Sequence, residues 1–214
     1  MSAFDDGEWR QRRKCIFDAI IDRHGIDFFK GKKVLELGCG YGHLGEMFHQ
    51  IGSDLICLEG RLEHVESGRA IFPHLNFVCS DLDSDWLYPK NDFDVILHIG
   101  TLYHLERPEV NLSQVCISMK PGSIIILETE FVDSDDKDIM LCLRRQGYNL
   151  SVREYGCRPS HGMIEDTMRR CGINFNKMIT NKYDFPPLYL YSVPRKNDGH
   201  FDRAERGFWF GTKV

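Results

Sequence analysis

Residues whose types and spacing could do chemistry crowd into one short stretch, Glu36-Leu37-Gly38-Cys39-Gly40-Tyr41-Gly42. Glycines spaced GxGxG let a backbone turn tightly and come close to a ligand, where a Cβ would collide with it. An acid stands two places before the first glycine. Two further acids close apolar runs downstream: Glu59, followed by Gly60, and Asp81, followed by Leu82. A carboxylate offers two acceptor oxygens, the number of donors on a vicinal diol. A dinucleotide-binding turn would need GxGxxG, but His43 occupies its third glycine position, so that fingerprint fails.

The elements that must position these residues alternate along the chain. An amphipathic helix is predicted over 8–24, with Trp9, Ile16, Ala19 and Ile20 on one stripe. Apolar strands are predicted at 32–38, 54–59, 75–81, 93–99 and 123–131, and helices at 43–51, 61–71 and 108–119, the last with Pro108 in its first turn. Lys120-Pro121-Gly122 is read as the break between that helix and the fifth strand. Helices at 136–147 and 161–171 follow, the second capped by Ser160, then strands near 173–180 and 207–213. Strands this apolar, with little alternation, imply a mostly parallel sheet covered on both faces. The glycine loop then lies beyond the carboxyl end of the first strand, where open parallel sheets bind ligands. The segment 182–206, rich in Tyr, Pro and charge, is longer than an ordinary connection and is read as functional.

Taken together, VLELGCGYG, Glu59, Asp81, the segment FDVILHIGTLYHL and the Lys-Pro-Gly turn resemble the class I S-adenosylmethionine-dependent methyltransferases. The resemblance covers about residues 32–131 well and the last two strands loosely. It implies a Rossmann-like α/β fold of seven strands in the order 3-2-1-4-5-7-6, with strand seven antiparallel. It implies S-adenosylmethionine as cofactor and S-adenosylhomocysteine as product. It places the cofactor on Glu36, Gly38, Cys39, Gly40, Tyr41, Gly42, Glu59, Gly60, Asp81, Leu82, His98 and Ile99. Within that set, Gly38 and Gly40 come closest to the cofactor, Glu59 holds the ribose hydroxyls and Asp81 the adenine amine. One methyltransferase domain is expected: a helical cover over 1–31, a cofactor-binding core over 32–131, and a remainder over 132–214 that shapes the acceptor site through 182–206.

Methyl transfer is mainly a problem of aligning nucleophile, methyl and sulfur, and it needs a base only when the acceptor must lose a proton. Tyr103 and His104, just after the fourth strand, are the candidate catalytic residues, with lining of the pocket as the equal alternative. Glu128, Glu130, Arg158 and His161 form a second tier. The two glutamates share one side of a strand end and read more naturally as solvated than as ligands for an amine or metal. No metal is expected, because His98, His104 and His161 have no recognised ligand spacing. Trp9, Tyr183, Phe185, Tyr189, Tyr191 and Phe201 supply aromatic walls for a small organic acceptor, and Arg195, Lys196, Arg203 and Arg206 leave room for an anionic group on it.

Composition narrows the remaining choices. The 27 basic and 32 acidic residues give a net charge of −5, which disfavours a polyanionic partner. The basic run Arg10, Arg12, Arg13 and Lys14 keeps an RNA or tRNA acceptor as the alternative, and a non-catalytic cofactor-binding partner is the third reading. The NPPY-type motif of adenine-amine methyltransferases is absent, since His98-Ile99-Gly100-Thr101 stands there. No window of about 18 apolar residues suggests a membrane span. Eight dispersed cysteines without a CxxC pair, behind a start that does not read as a signal peptide, imply reduced thiols in the cytoplasm. Neither the acceptor atom nor the oligomeric state follows from these residues.

Overall fold

The computed structural model describes residues 6–84, 88–144, 152, 155–179 and 204–214. Helix α1 (Gly7–His24) leads through a 3-10 turn (Ile26–Phe29) into β1 (Lys33–Leu37), α2 (His43–Gln50), β2 (Asp54–Glu59), α3 (Leu62–Ile71) and β3 (Asn76–Cys79). The chain continues with β4 (Phe93–Ile99), a 3-10 turn (Leu102–His104), α4 (Pro108–Ser118) and β5 (Met119–Val132). A hairpin of β6 (Met140–Arg144) and β7 (Tyr155–Pro159) precedes α5 (His161–Arg170), β8 (Ile173–Ile179) and β9 (Ala204–Lys213).

The main sheet runs β3-β2-β1-β4-β5-β9-β8. Pairs among β1 to β5 are parallel, and β9 is antiparallel to both β5 and β8. The Rossmann-like class expected from the resemblance is therefore present. Its numbering differs from 3-2-1-4-5-7-6 because the hairpin inserts two strands before the last pair. Over its described part, 136–144, the helix expected over 136–147 is instead a turn and the strand β6. A short apolar run such as Ile139-Met140-Leu141-Cys142-Leu143 serves either element, and pairing of Met140–Arg144 with Tyr155–Pro159 decides for strand. Lys120-Pro121-Gly122 is no separate break either. It lies inside β5, where the register skips from Phe93↔Met119 to Val95↔Ile124.

Alternate side chains of each strand feed two cores. Val34, Cys57, Val95 and Ile126 pack with Ile16 and Ile20 of α1, Leu44 and Phe48 of α2 and Val65 of α3. Leu35, Leu58, Ile96 and Ile125 pack on the other face with Leu112 and Val115 of α4 and Ile164 and Met168 of α5. Burial at this scale is the main term holding helices to the sheet. Ser160 accepts from the Met163 N–H at 3.0 Å and starts α5 as expected, and Asp6 does the same for α1 through Glu8. No helix among the described residues is long and apolar enough to cross a membrane.

Candidate functional site

The strand order reverses between β1 and β4, so their exits diverge and leave a crevice. The glycine loop lines one side. Gly38, Gly40 and Gly42 have φ of 66, 58 and 83°, a region that residues with a Cβ rarely adopt. Two of the glycines are also demanded by the protein itself. A Cβ on Gly38 would lie 2.2 Å from Thr101 Oγ1, and one on Gly42 would lie 2.7 Å from the Phe77 ring. Thr101 donates to the carbonyl of Leu37 at 2.9 Å and lies 3.2 Å from that of Ile99, which joins the two strand exits.

Glu59 is 8% exposed and fixed at both oxygens. Oε2 accepts from the Gly40 N–H at 2.9 Å and Oε1 from the Arg61 N–H at 3.0 Å, with His64 3.5 Å from Oε1. Burial pushes its carboxyl up, but His64 and the two backbone N–H groups outweigh this and hold it below the ordinary range. Glu59 is therefore ionised and aimed. Glu36 is the opposite case. Burial raises its carboxyl to about 8, against the pull of Arg13 and the Gly45 N–H.

Asp81 lies two residues beyond the end of β3, and its Oδ1 accepts from the Asp83 N–H at 3.0 Å. Leu82 is buried in the α4-side core, and its carbonyl accepts from Asn111 Nδ2 at 3.0 Å. That bond fixes the Asn111 amide, so His98 Nε2–H donates to Asn111 Oδ1 at 3.0 Å. The His98 side chain is fully buried, and burial lowers its pKa to about 4. What His98 and Ile99 offer to the crevice is backbone. Cys39 is likewise buried, with its thiol pushed well up by burial, whereas the Tyr41 ring meets His64 at 5.7 Å. Gly60 sits where a Cβ would lie 2.7 Å from Val152.

Across the crevice, the Tyr103 and His104 rings pack on each other at 4.1 Å. Arg158 and Arg206 stand 4.8 and 5.1 Å from the Tyr103 ring centre. The second-tier residues are rearranged from expectation. Glu128 is 2% exposed and Glu130 half-buried, so they are not a solvated strand end. Antiparallel β9 puts Arg206 opposite Glu130, where it bonds Glu128 and, at 2.6 Å, Glu130, while Arg158 also pairs with Glu130. Arginine already fills the position where an amine or metal would sit. His161 is engaged elsewhere, 3.2 Å from Asp133 and 2.9 Å from Asp135. Of the aromatic and basic residues expected around the acceptor, those within 182–203 lie outside the described residues.

Sequence reasoning missed Asp83. Its carboxylate accepts from the Glu106 N–H at 3.0 and 2.8 Å and the Arg107 N–H at 2.9 Å. The signal was that α4 begins Arg107-Pro108, with no capping side chain of its own, so a remote acceptor was needed. Arg12 and Arg13 were read as part of a basic run suited to RNA. Instead they line a cleft with Trp9, Gly100, Tyr103 and Arg206.

Residues 8–174 match the family described as a methyltransferase domain. The chain belongs to that family. Its fold is that of the class I, S-adenosylmethionine-dependent methyltransferases, whose cofactor leaves as S-adenosylhomocysteine. A tRNA U34 carboxymethyltransferase of Pseudoalteromonas translucida is 27% identical over 177 residues, 78% of this chain and 51% of that protein. The same enzyme of Alteromonas mediterranea is 28% identical over 185 residues, 81% and 53%. The chain thus spans about half the length of these curated relatives. Among solved structures, an S-adenosylmethionine-dependent methyltransferase from Mesorhizobium loti superposes with TM-score 0.62 at 15% identity, covering 86% of this chain and 92% of that one. The N-terminal domain of EvdMO1 with S-adenosylhomocysteine bound gives 0.66 at 16%, covering 96% and 81%. The [4+2]-cyclase SpnF gives 0.65 at 16%, covering 96% and 83%, so this fold alone does not fix a reaction.

The methyltransferase crevice suits the family cofactor by the chemistry of its groups. Ionised Glu59 takes one backbone N–H on Oε2 and keeps acceptor capacity there for a hydroxyl.

Proposed function

We propose that this chain transfers a methyl group from S-adenosylmethionine to a small organic acceptor. The carrying observation is the Glu59–Gly40 bond, which presents an ionised diol acceptor beside a glycine loop at the β1–β4 switch point. In this reading Glu59 holds the ribose, and Asp81 with Leu82 faces the adenine. The loop from Gly38 to Gly42, with Gly60 and the backbone of His98 and Ile99, bounds the rest of the cofactor. Glu36, also expected at the cofactor, is held by the Gly45 N–H of α2 and drawn to Arg13 of α1. When bound, the cofactor supplies a methyl carbon on a cationic sulfur, so the acceptor must be aligned and any proton it loses must be taken up. Tyr103 and His104 border the acceptor. Calorimetry with S-adenosylhomocysteine, followed by incubation of methyl-labelled cofactor with fractionated extracts, tests this. Micromolar binding and label in a small-molecule fraction are expected, and failure to bind would overturn the assignment.

A second reading rests on the curated relatives, which are named as acting at U34 of tRNA. It predicts label in the RNA fraction of the same experiment. The net charge of −5 and the inward placement of Arg12 and Arg13 favour the small acceptor.

A further inference from the structure

The cleft beside Gly100, about 70 Å³, has a charge composition that cofactor binding does not explain. Arg12 and Arg13 reach it from α1 and Arg206 from β9, with Trp9 and Tyr103 as aromatic walls. Arg158 stands over the Tyr103 ring. Glu128 and Glu130 are both held by Arg206, and Glu130 by Arg158 as well. Four guanidinium groups therefore gather around the two side chains Glu128 and Glu130. Glu36 also attracts Arg13, but its carboxyl is raised to about 8 and is mostly protonated at neutral pH. Asp6 and Glu8, at the exposed start of α1, act on Arg12 from the solvent side.

This crowding has an energetic signature. Burial, then the neighbouring Arg13 and Arg206 cations, lower Arg12 to about 10, and burial lowers Arg13. Guanidinium does not release its proton at neutral pH, so the repulsion remains in the folded protein. An anion bound between these groups relieves it, and the planar fork of arginine matches carboxylate and phosphate oxygens two at a time. We propose that this cleft recognises a carboxylate or phosphate group on the small acceptor, with the acceptor's apolar body against Trp9 and Tyr103. The proposal rests on the methyltransferase reading for the acceptor, while the anion site stands on the clustered guanidinium groups and their cleft. Enclosure separates it from a nucleic-acid surface, since Arg206 is only 8% exposed and the phosphates of a duplex or stem need an open face.

The test titrates the full chain with benzoate, phenyl phosphate and benzamide, the last a neutral isostere of benzoate, with and without saturating S-adenosylhomocysteine. Benzoate and phenyl phosphate are expected to bind at least about tenfold tighter than benzamide and to bind alongside S-adenosylhomocysteine. Arg12→Gln, on a half-buried side chain, should weaken benzoate about tenfold, and Arg12→Lys should restore part of the loss. Equal binding of benzoate and benzamide would overturn the site. Competition between benzoate and S-adenosylhomocysteine would assign it to the cofactor's own carboxylate, and displacement of benzoate by unfractionated tRNA would assign it to nucleic acid. Either result defeats the proposal. Selective benzoate binding without S-adenosylhomocysteine binding would instead sink the methyltransferase reading and leave the anion site intact.

Discussion

The backbone N–H of Gly40 donates to Glu59 Oε2 at 2.9 Å, so the acid that ends β2 holds the loop that leaves β1. One carboxylate thereby shapes the loop and offers acceptor capacity to a diol. In Glu59→Gln, one oxygen becomes an NH2 that must face either the Gly40 or the Arg61 N–H, donor against donor. We expect a folded variant whose affinity for S-adenosylhomocysteine falls by about 1.5–3 kcal/mol, the range for hydrogen bonds to a charged group. Calorimetry alongside circular dichroism checks this, and unchanged affinity in a folded protein would refute the ribose assignment.

Asp83 ties the start of α4 to the loop after β3, next to the turn that carries Tyr103 and His104. Asp83→Asn replaces an acceptor of the Glu106 and Arg107 N–H groups with a weaker, half-donor side chain. Stability should drop by about 1–3 kcal/mol in denaturant unfolding. Turnover should fall more than affinity for S-adenosylhomocysteine, because the Asp83 carboxylate holds Glu106 and Arg107 and reaches Asp81 only through its backbone N–H. Loss of cofactor affinity without loss of stability would contradict the positioning role.

The sheet was legible because β1, β2, β4 and β5 are continuous apolar runs ended by glycine or acid, a pattern set by burial on both faces. The loop was legible because GxGxG follows a strand directly. What pairing decides was not legible. Met140–Arg144 is a strand only because Tyr155–Pro159 lies beside it, and Glu128 and Glu130 are shielded from solvent because β9 brings Arg206 opposite Glu130 and within reach of both. The glycines were read as making room for a ligand. At Gly38 and Gly42 the nearest obstacle is Thr101 or Phe77, contacts from distant sequence that spacing cannot reveal. Arg12 and Arg13 read as part of a basic run open to RNA because the groups that surround Arg13, Glu36, Tyr103, Glu128 and Arg206, come from distant sequence.

Glu36 should leave a signature in stability against pH. Burial raises its carboxyl from 4.5 to about 8, so the folded state binds this proton more tightly than the unfolded state. Its contribution is full below the unfolded value and is lost as pH rises through the folded one. Wild-type stability should therefore fall relative to Glu36→Gln between pH 5 and 8, by up to about 1.4 kcal/mol per pH unit. Denaturant unfolding of both proteins at pH 5, 6.5 and 8 measures the difference. Parallel curves would show that Glu36 does not titrate in this window.

His104 carries the sharpest choice between chemistry and lining. Burial first, then the Arg158 and Arg206 cations, lower its pKa to about 4, so the ring is neutral at physiological pH. The linkage is the reverse of that for Glu36. Stability from a neutral His104 is present above the unfolded value near 6.5 and is lost as pH falls through 4. In catalysis, a base with so low a pKa binds a proton weakly, and its rate would rise with pH near 4 and not between 6 and 8. Its packing on Tyr103 at 4.1 Å suits a wall of the acceptor pocket better. His104→Ala is therefore expected to change kcat by less than about tenfold and to raise KM for the acceptor, as happens when uniform binding is removed. The pH profile of kcat should stay flat through His104 between pH 6 and 8 in both proteins. A loss of about 10²–10⁴ in kcat, the range for removal of a general base, would show that His104 takes the acceptor's proton despite its surroundings.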